Sequence, residues 1–354
     1  MSVLDQPAAS QPLGASLGWV RRHPVWSFTV LAFSLSWALF ALPALLFPRA
    51  SWPLISALLR IGTFGPAVAG LVIAAILNPA PTGHRRAARW GLFAAAAAFS
   101  LGFRWLSRGL WLQPGNTLAQ YALLAVAMLI WAAIIAGVLG RTRGVRAVMR
   151  GLAEWPGWDW MLLVALAPLV VECAGIWLTL TLGGQVRPFL RPEPWAAQLP
   201  IVLFVLIQTL IDGGGNEEPG WRGFMLAQLQ QRYSPLVAGL AVGVAMGLWH
   251  LPLHFVGAYA GSSVFADNAL GLAYRVVSST VLSLGLTYLY NRPRGGLLLA
   301  TWFHVVVNTS AGFIASTPIA QALMIALMLA LIPIGKMWRR LPPRVAAAQR
   351  LGGA

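Results

Sequence analysis

Apolar runs separated by short polar, glycine-marked or proline-marked breaks fill most of the chain, at residues 26–47, 55–78, 90–103, 117–139, 158–182, 199–231, 236–256, 268–290, 296–312 and 316–335. A helix of about 20 apolar residues crosses the hydrocarbon core of a bilayer, and all of these runs except 90–103 and 296–312 approach or exceed that length. None alternates with the period of a barrel strand, and unpaired backbone in hydrocarbon costs several kcal/mol per group, so the runs predict helices. The expected fold is an all-α polytopic membrane protein, a bundle of about 8–10 transmembrane helices around a polar intramembrane site. Its predicted parts are a flexible tail over 1–20, transmembrane helices over 21–198, a core over 199–312 that carries the polar clusters, a last transmembrane helix within 313–340 and a basic tail over 341–354. The first run follows Arg21 and Arg22 and is too long for the apolar region of a signal peptide, so it is expected to remain as an anchor.

Composition agrees with this pattern: of 354 residues 58% are hydrophobic and 10% charged, with a mean hydropathy of +0.71. An ordinary soluble enzyme and a disordered chain are both excluded. The formal charge of +16 comes from 24 Arg and the single Lys336 against nine acids. In a soluble protein that balance points to nucleic acid. In a multi-pass chain it marks cytoplasmic loops, and the alternation of Arg-rich with Arg-poor connections places both termini in the cytoplasm for ten spans. No nucleic-acid partner is expected, and the preference for Arg over Lys points to a GC-rich bacterial source and its cell membrane. A lone cysteine, Cys173, excludes an intrachain disulfide.

Negative charge is therefore scarce, and its placement is informative. Asp5, Glu154, Asp159, Glu193 and Asp267 fall at or near loops or lack a visible partner, whereas Glu172, Asp212, Glu217 and Glu218 lie at membrane depth together with His250, His254 and His304. An ionisable group inside a span costs about 2.5–3.5 kcal/mol and persists mainly where it is paired or used. Gly213-Gly214-Gly215 breaks a helix and Pro219 suits the first turn of the next, which puts Glu217 and Glu218 at a helix N-terminus. Glu218 and Arg222 are spaced to pair on one face, leaving Glu217 as the less compensated carboxylate and the better general base. His250 and His254 also share a helix face. Gly239, Gly243 and Gly247 form a small-residue stripe that lets another helix approach and turns the imidazoles into the bundle. His304 and Asn308 are four apart as well. Counted from the basic loops at 1.5 Å per residue, all three clusters lie about 21–22 Å deep.

A base, imidazoles and an amide at one depth suit amide or ester hydrolysis: Glu217 and His250 would hold and deprotonate a water, and His304 and Asn308 would stabilise the oxyanion. Glu217, His250 and His304 could equally bind a divalent metal such as zinc with a position open for water. The pattern leaves these mechanisms open. It carries no His-Glu-x-x-His or Gly-x-Gly-Asp motif, and Asp212 and Glu172 do not form a convincing aspartyl dyad. A secondary transporter would also place acids at broken helices, and a non-catalytic scaffold could use the clusters to hold helices together.

Glu217-Glu218-x-x-x-Arg222, then His250, then His304-x-x-x-Asn308, resembles the three-motif signature of the CAAX protease and bacteriocin-processing (CPBP, or ABI) family of intramembrane endopeptidases, over about a third of the chain. The resemblance implies a multi-helix core of the type II CAAX prenyl endopeptidase kind. In it Glu217 would be the catalytic carboxylate, supported by Glu218 and Arg222; His250 would share the water or metal, and His304 with Asn308 would complete the site. The implied partners are membrane lipid and a peptide or membrane-protein substrate. Met246 stands where the family's second motif usually has Phe, which predicts a packing change without loss of activity.

Overall fold

The structure, a computed structural model, describes residues 12–41, 45, 52–83, 86–108, 118–186, 195–256, 268–311, 313–314, 316–343, 345 and 349. The expected loop at 257–267, and with it Asp267, lies outside these residues, as do Asp5, Arg49, Arg85, Arg187, Arg191 and Glu193. In chain order the helices are α1 (Pro12–Arg22), α2 (Pro24–Phe40), α3 (Trp52–Gly62), α4 (Gly65–Leu77), α5 (Arg86–Leu106), α6 (Leu118–Ala136), α7 (Arg143–Ala153), α8 (Trp158–Thr181) and α9 (Trp195–Asp212). A π-helix over Pro219–Leu226 follows, then α10 (Pro235–Trp249), α11 (Leu251–Phe255), α12 (Ala269–Tyr290), α13 (Gly296–Ala311) and α14 (Pro318–Ile334).

Among the described residues six helical stretches are long and apolar enough to cross a membrane, and α13, α14 and the part of α9 from Leu199 are shorter apolar helices. The all-α polytopic expectation is borne out. Helix α1 occupies part of the tail expected at 1–20, and within the tail expected at 341–354 Gln349 bonds to both Gln230 and Asn291. Helix starts carry local signals: Ser234, Asn268 and Thr317 each accept a backbone N–H of the first turn, and Pro235 and Pro318 stand where a missing N–H costs nothing.

One core cluster joins α2, α4, α5, α6 and α7 to the π-helix and α10, and a second joins α8, α12, α13 and α14. Helix α10 packs along α12, α4 along both α2 and the π-helix, and α13 between α9, α8 and α12. The small-residue stripe does what its spacing predicts: Gly239, Gly243 and Gly247 face Thr287, Thr280 and Val276 of α12 so closely that a β-carbon would collide at each. Gly220 of the π-helix lies likewise against the Pro66 backbone of α4. Phe28 of α2 meets Trp221 edge-on at 5.6 Å and stacks on Phe224 at 5.3 Å.

The run 199–231 breaks where its three glycines predict: α9 ends at Asp212 and the chain resumes at Pro219, with the winding of a π-helix, which is found chiefly at functional sites. Another predicted run is corrected. The run 236–256 breaks at His250, because Pro252 brings no N–H to the turn, so His250 and His254 do not share one unbroken helix face.

Candidate functional site

The glycine break after α9 folds over the third cluster. Gly214 has φ +134°, a region L side chains rarely adopt, and a β-carbon there would lie 2.9 Å from Asn308 Nδ2 and 3.1 Å from His304 Nε2. Only glycine admits both the backbone conformation and the close approach. The Asn308 amide donates to Gly213 O at 2.7 Å, and Gly214 N donates to Asn216 Oδ1 at 3.1 Å. Asn216 Nδ2 in turn donates to Thr63 Oγ1 at 2.8 Å, so the link between α3 and α4 holds the loop from its other side.

The two glutamates take different partners. Glu218 is fully buried, and its Oε1 accepts from Arg222 Nη1 at 3.0 Å and from His304 Nδ1 at 2.7 Å. The i,i+4 pair expected from the sequence is present. The bond from Glu218 to His304 joins the first and third clusters, and 86 residues separate its ends. Glu217 is also buried and carries a lighter load, a bond from Trp221 Nε1 to its Oε2 at 3.3 Å, with His304, Glu218 and Arg222 within electrostatic range.

The second cluster joins through Met246. Its thioether accepts from Arg222 Nη1 at 3.4 Å, and its carbonyl is 2.7 Å from His250 Nδ1. Met246 is thus more than the apolar substitute expected at this position. At the helix end His250 N donates to Gly247 O, three residues back, which leaves the Met246 carbonyl to the imidazole. With Nδ1–H so engaged, the Nε2 atom of His250 is an acceptor. His304 and His254 lie within electrostatic range of His250, and His254 is buried.

Glu217, Glu218, Arg222, His304 and Asn308 are therefore brought together with the 213–216 loop, and His250 is attached through Met246. Among the described residues no three His, Cys, Asp or Glu side chains are grouped as a metal site, so Glu217, His250 and His304 do not fit a preformed three-ligand centre in this arrangement. Both remaining intramembrane acids find partners that sequence spacing does not reveal. Asp212 is clamped by Arg60 at 3.2 Å and by a close contact from Arg104, and Glu172 accepts from Ser316 at 3.1 Å. Just beyond His250, Ala41, Leu45, Leu251, Pro252, Phe255 and Val256 line an apolar groove of about 500 Å³.

Comparison with known proteins covers this part of the chain. Residues 195–310 match the family described as type II CAAX prenyl endopeptidase Rce1-like. A curated relative, CAAX prenyl protease 2 of Methanococcus maripaludis, is 28% identical over 156 residues, 43% of this chain and 55% of the relative. The match thus spans about half the length of that relative. The matched segment holds Glu217, Glu218, Arg222, His250, His304 and Asn308, and over residues 195–310 the chain is similar to the CAAX protease family.

Proposed function

We propose that this chain is a membrane-embedded endopeptidase that hydrolyses a peptide bond with Glu217 as general base. The observation that carries the reading is the bond from Glu218 to His304, which fixes the third cluster beside the less engaged Glu217. A water between Glu217 and His250 Nε2 would give its proton to Glu217 while its oxygen adds to the scissile carbonyl carbon. His304, held at Nδ1 by Glu218, would meet the developing oxyanion at Nε2, and Asn308 offers its second amide hydrogen. Collapse breaks the C–N bond, and the proton held by Glu217 passes to the departing amine. Arg222 pairs with the same Glu218 oxygen and so helps to hold the acceptor of His304 in place. These steps use only side chains and one water.

The groove next to His250 has a volume in the range of small-ligand sites and no charged side chain among its described lining residues. It supports a substrate with an apolar moiety beside the scissile bond, a prenylated peptide being the class that the relative's name describes. The test is cleavage of an internally quenched farnesylated peptide by the purified protein in nanodiscs. Glu217→Gln, His250→Ala and His304→Ala are each expected to abolish cleavage while leaving the protein folded. Cleavage retained by Glu217→Gln would overturn the reading.

A further inference from the structure

His250 owes its place to a residue far outside the matched segment. The turn that carries it is made of short-range bonds, His250 N to Gly247 O at 3.2 Å and Leu253 N to His250 O at 3.0 Å, with Pro252 contributing no donor. A helix end so loosely tied needs an outside support. It finds one in α2: Trp37 Nε1 donates to the Trp249 carbonyl at 3.0 Å, one residue before His250. The same helix braces Trp249 through Phe40, edge-on at 5.1 Å, and the Trp249 ring lies 4.8 Å from the His250 ring. The groove beyond His250 is bounded by Ala41, which follows α2, and by Leu251 and Pro252, so the clamp also joins its two walls.

We infer that Trp37 is a positioning residue for His250: its indole N–H, seated on the Trp249 carbonyl, holds the kink between α10 and α11 and thereby the direction of the His250 imidazole. The inference rests on the endopeptidase reading for its kinetic consequence and on the hydrogen bond alone for its structural one. A small misplacement of a water-holding group can cost up to about 100-fold in rate. Loss of the clamp is therefore expected to act on kcat and leave KM nearly unchanged.

The experiment compares wild type with Trp37→Phe, and with a protein carrying benzothienylalanine at position 37, which keeps the shape of the indole and lacks its N–H. Ser283→Ala, which removes the bond from Ser283 Oγ to Gly239 O at the other end of α10, serves as a structural control. Cleavage of the farnesylated peptide in nanodiscs is read as kcat and KM, and hydrogen exchange is read over residues 247–256. Both replacements of Trp37 are expected to lower kcat roughly 10- to 100-fold at near-constant KM and to speed exchange across the turn, while Ser283→Ala does neither. Wild-type kcat or wild-type exchange in the benzothienylalanine protein would overturn the clamp. If wild type does not cleave, the endopeptidase reading fails, and the exchange measurement still decides the clamp.

Discussion

The Nδ1 atom of His304 rests 2.7 Å from the same Glu218 oxygen that Arg222 Nη1 reaches at 3.0 Å. One carboxylate oxygen thus holds an imidazole and a guanidinium at once, with Glu218 and Arg222 fully buried. Removing one member strands a charge away from water. Glu218→Gln is expected to cost about 3–5 kcal/mol of stability, and the double variant Glu218→Gln/Arg222→Met should recover much of it. Denaturant unfolding in detergent micelles measures both; a single variant as stable as wild type would contradict the arrangement.

Gly214 is irreplaceable for a different reason. Alanine there must take an unfavourable backbone conformation and push its β-carbon against Asn308 Nδ2 and His304 Nε2. Gly214→Ala should abolish cleavage while circular dichroism still reports the full helix content. Near-normal turnover in that variant would show that the 213–216 loop does not set the site.

Asp212 anchors three helices through Arg60 of α3 and Arg104 of α5. Asp212→Asn is expected to lower the melting temperature strongly, since Arg104 is buried with it. Arg60→Gln should cost less, because a third of its side chain is exposed and its interaction screened. Equal losses from the two variants would mean that burial does not govern this cluster.

Met246 tests a distinction between packing and bonding. Met246→Leu keeps the volume and removes the thioether that accepts from Arg222, a loss of about 1 kcal/mol in unfolding free energy. Met246→Phe restores an acceptor of another kind, since a guanidinium binds the face of an aromatic ring, and is expected to keep cleavage within a few-fold of wild type. A leucine variant that unfolds like wild type would reduce the position to packing alone.

No three-ligand grouping of His, Cys, Asp or Glu occurs among the described residues. Cleavage is accordingly expected to survive prolonged dialysis against a strong chelator, with metal content followed by elemental analysis. Loss of activity that one divalent metal restores would replace the water-only scheme with a metal-assisted one.

Much of the fold is legible in the order of apolar and polar residues. The runs at 117–139 and 268–290 became α6 and α12 with little change, because a helix long enough for the bilayer needs only local hydrophobicity. The Glu218–Arg222 pair and the glycine stripe of α10 were equally legible, both being set by helical periodicity within one segment. The break at His250 had its signal in Pro252, and the length of the apolar run masked it. Trp37 had no signal at all, since a tryptophan in an apolar helix reads as packing until its N–H is seen to meet a carbonyl on another helix.

By itself, then, the sequence determined that the chain is a helical membrane protein, and it put Glu217 with Glu218, His250, and His304 with Asn308 on three separate segments, because hydrophobicity, helix spacing and helix breakers act over a few residues. Only the tertiary structure decided that Glu218 serves His304, that Met246 joins Arg222 to His250, that Asp212 belongs to Arg60 and Arg104, and that α2 supports the turn at His250. Apart from the four-residue step between Met246 and His250, these bonds join residues 24 to 212 positions apart. They depend on which helices lie side by side, and hydrogen bonds act only over about 3 Å, a distance that no local pattern specifies.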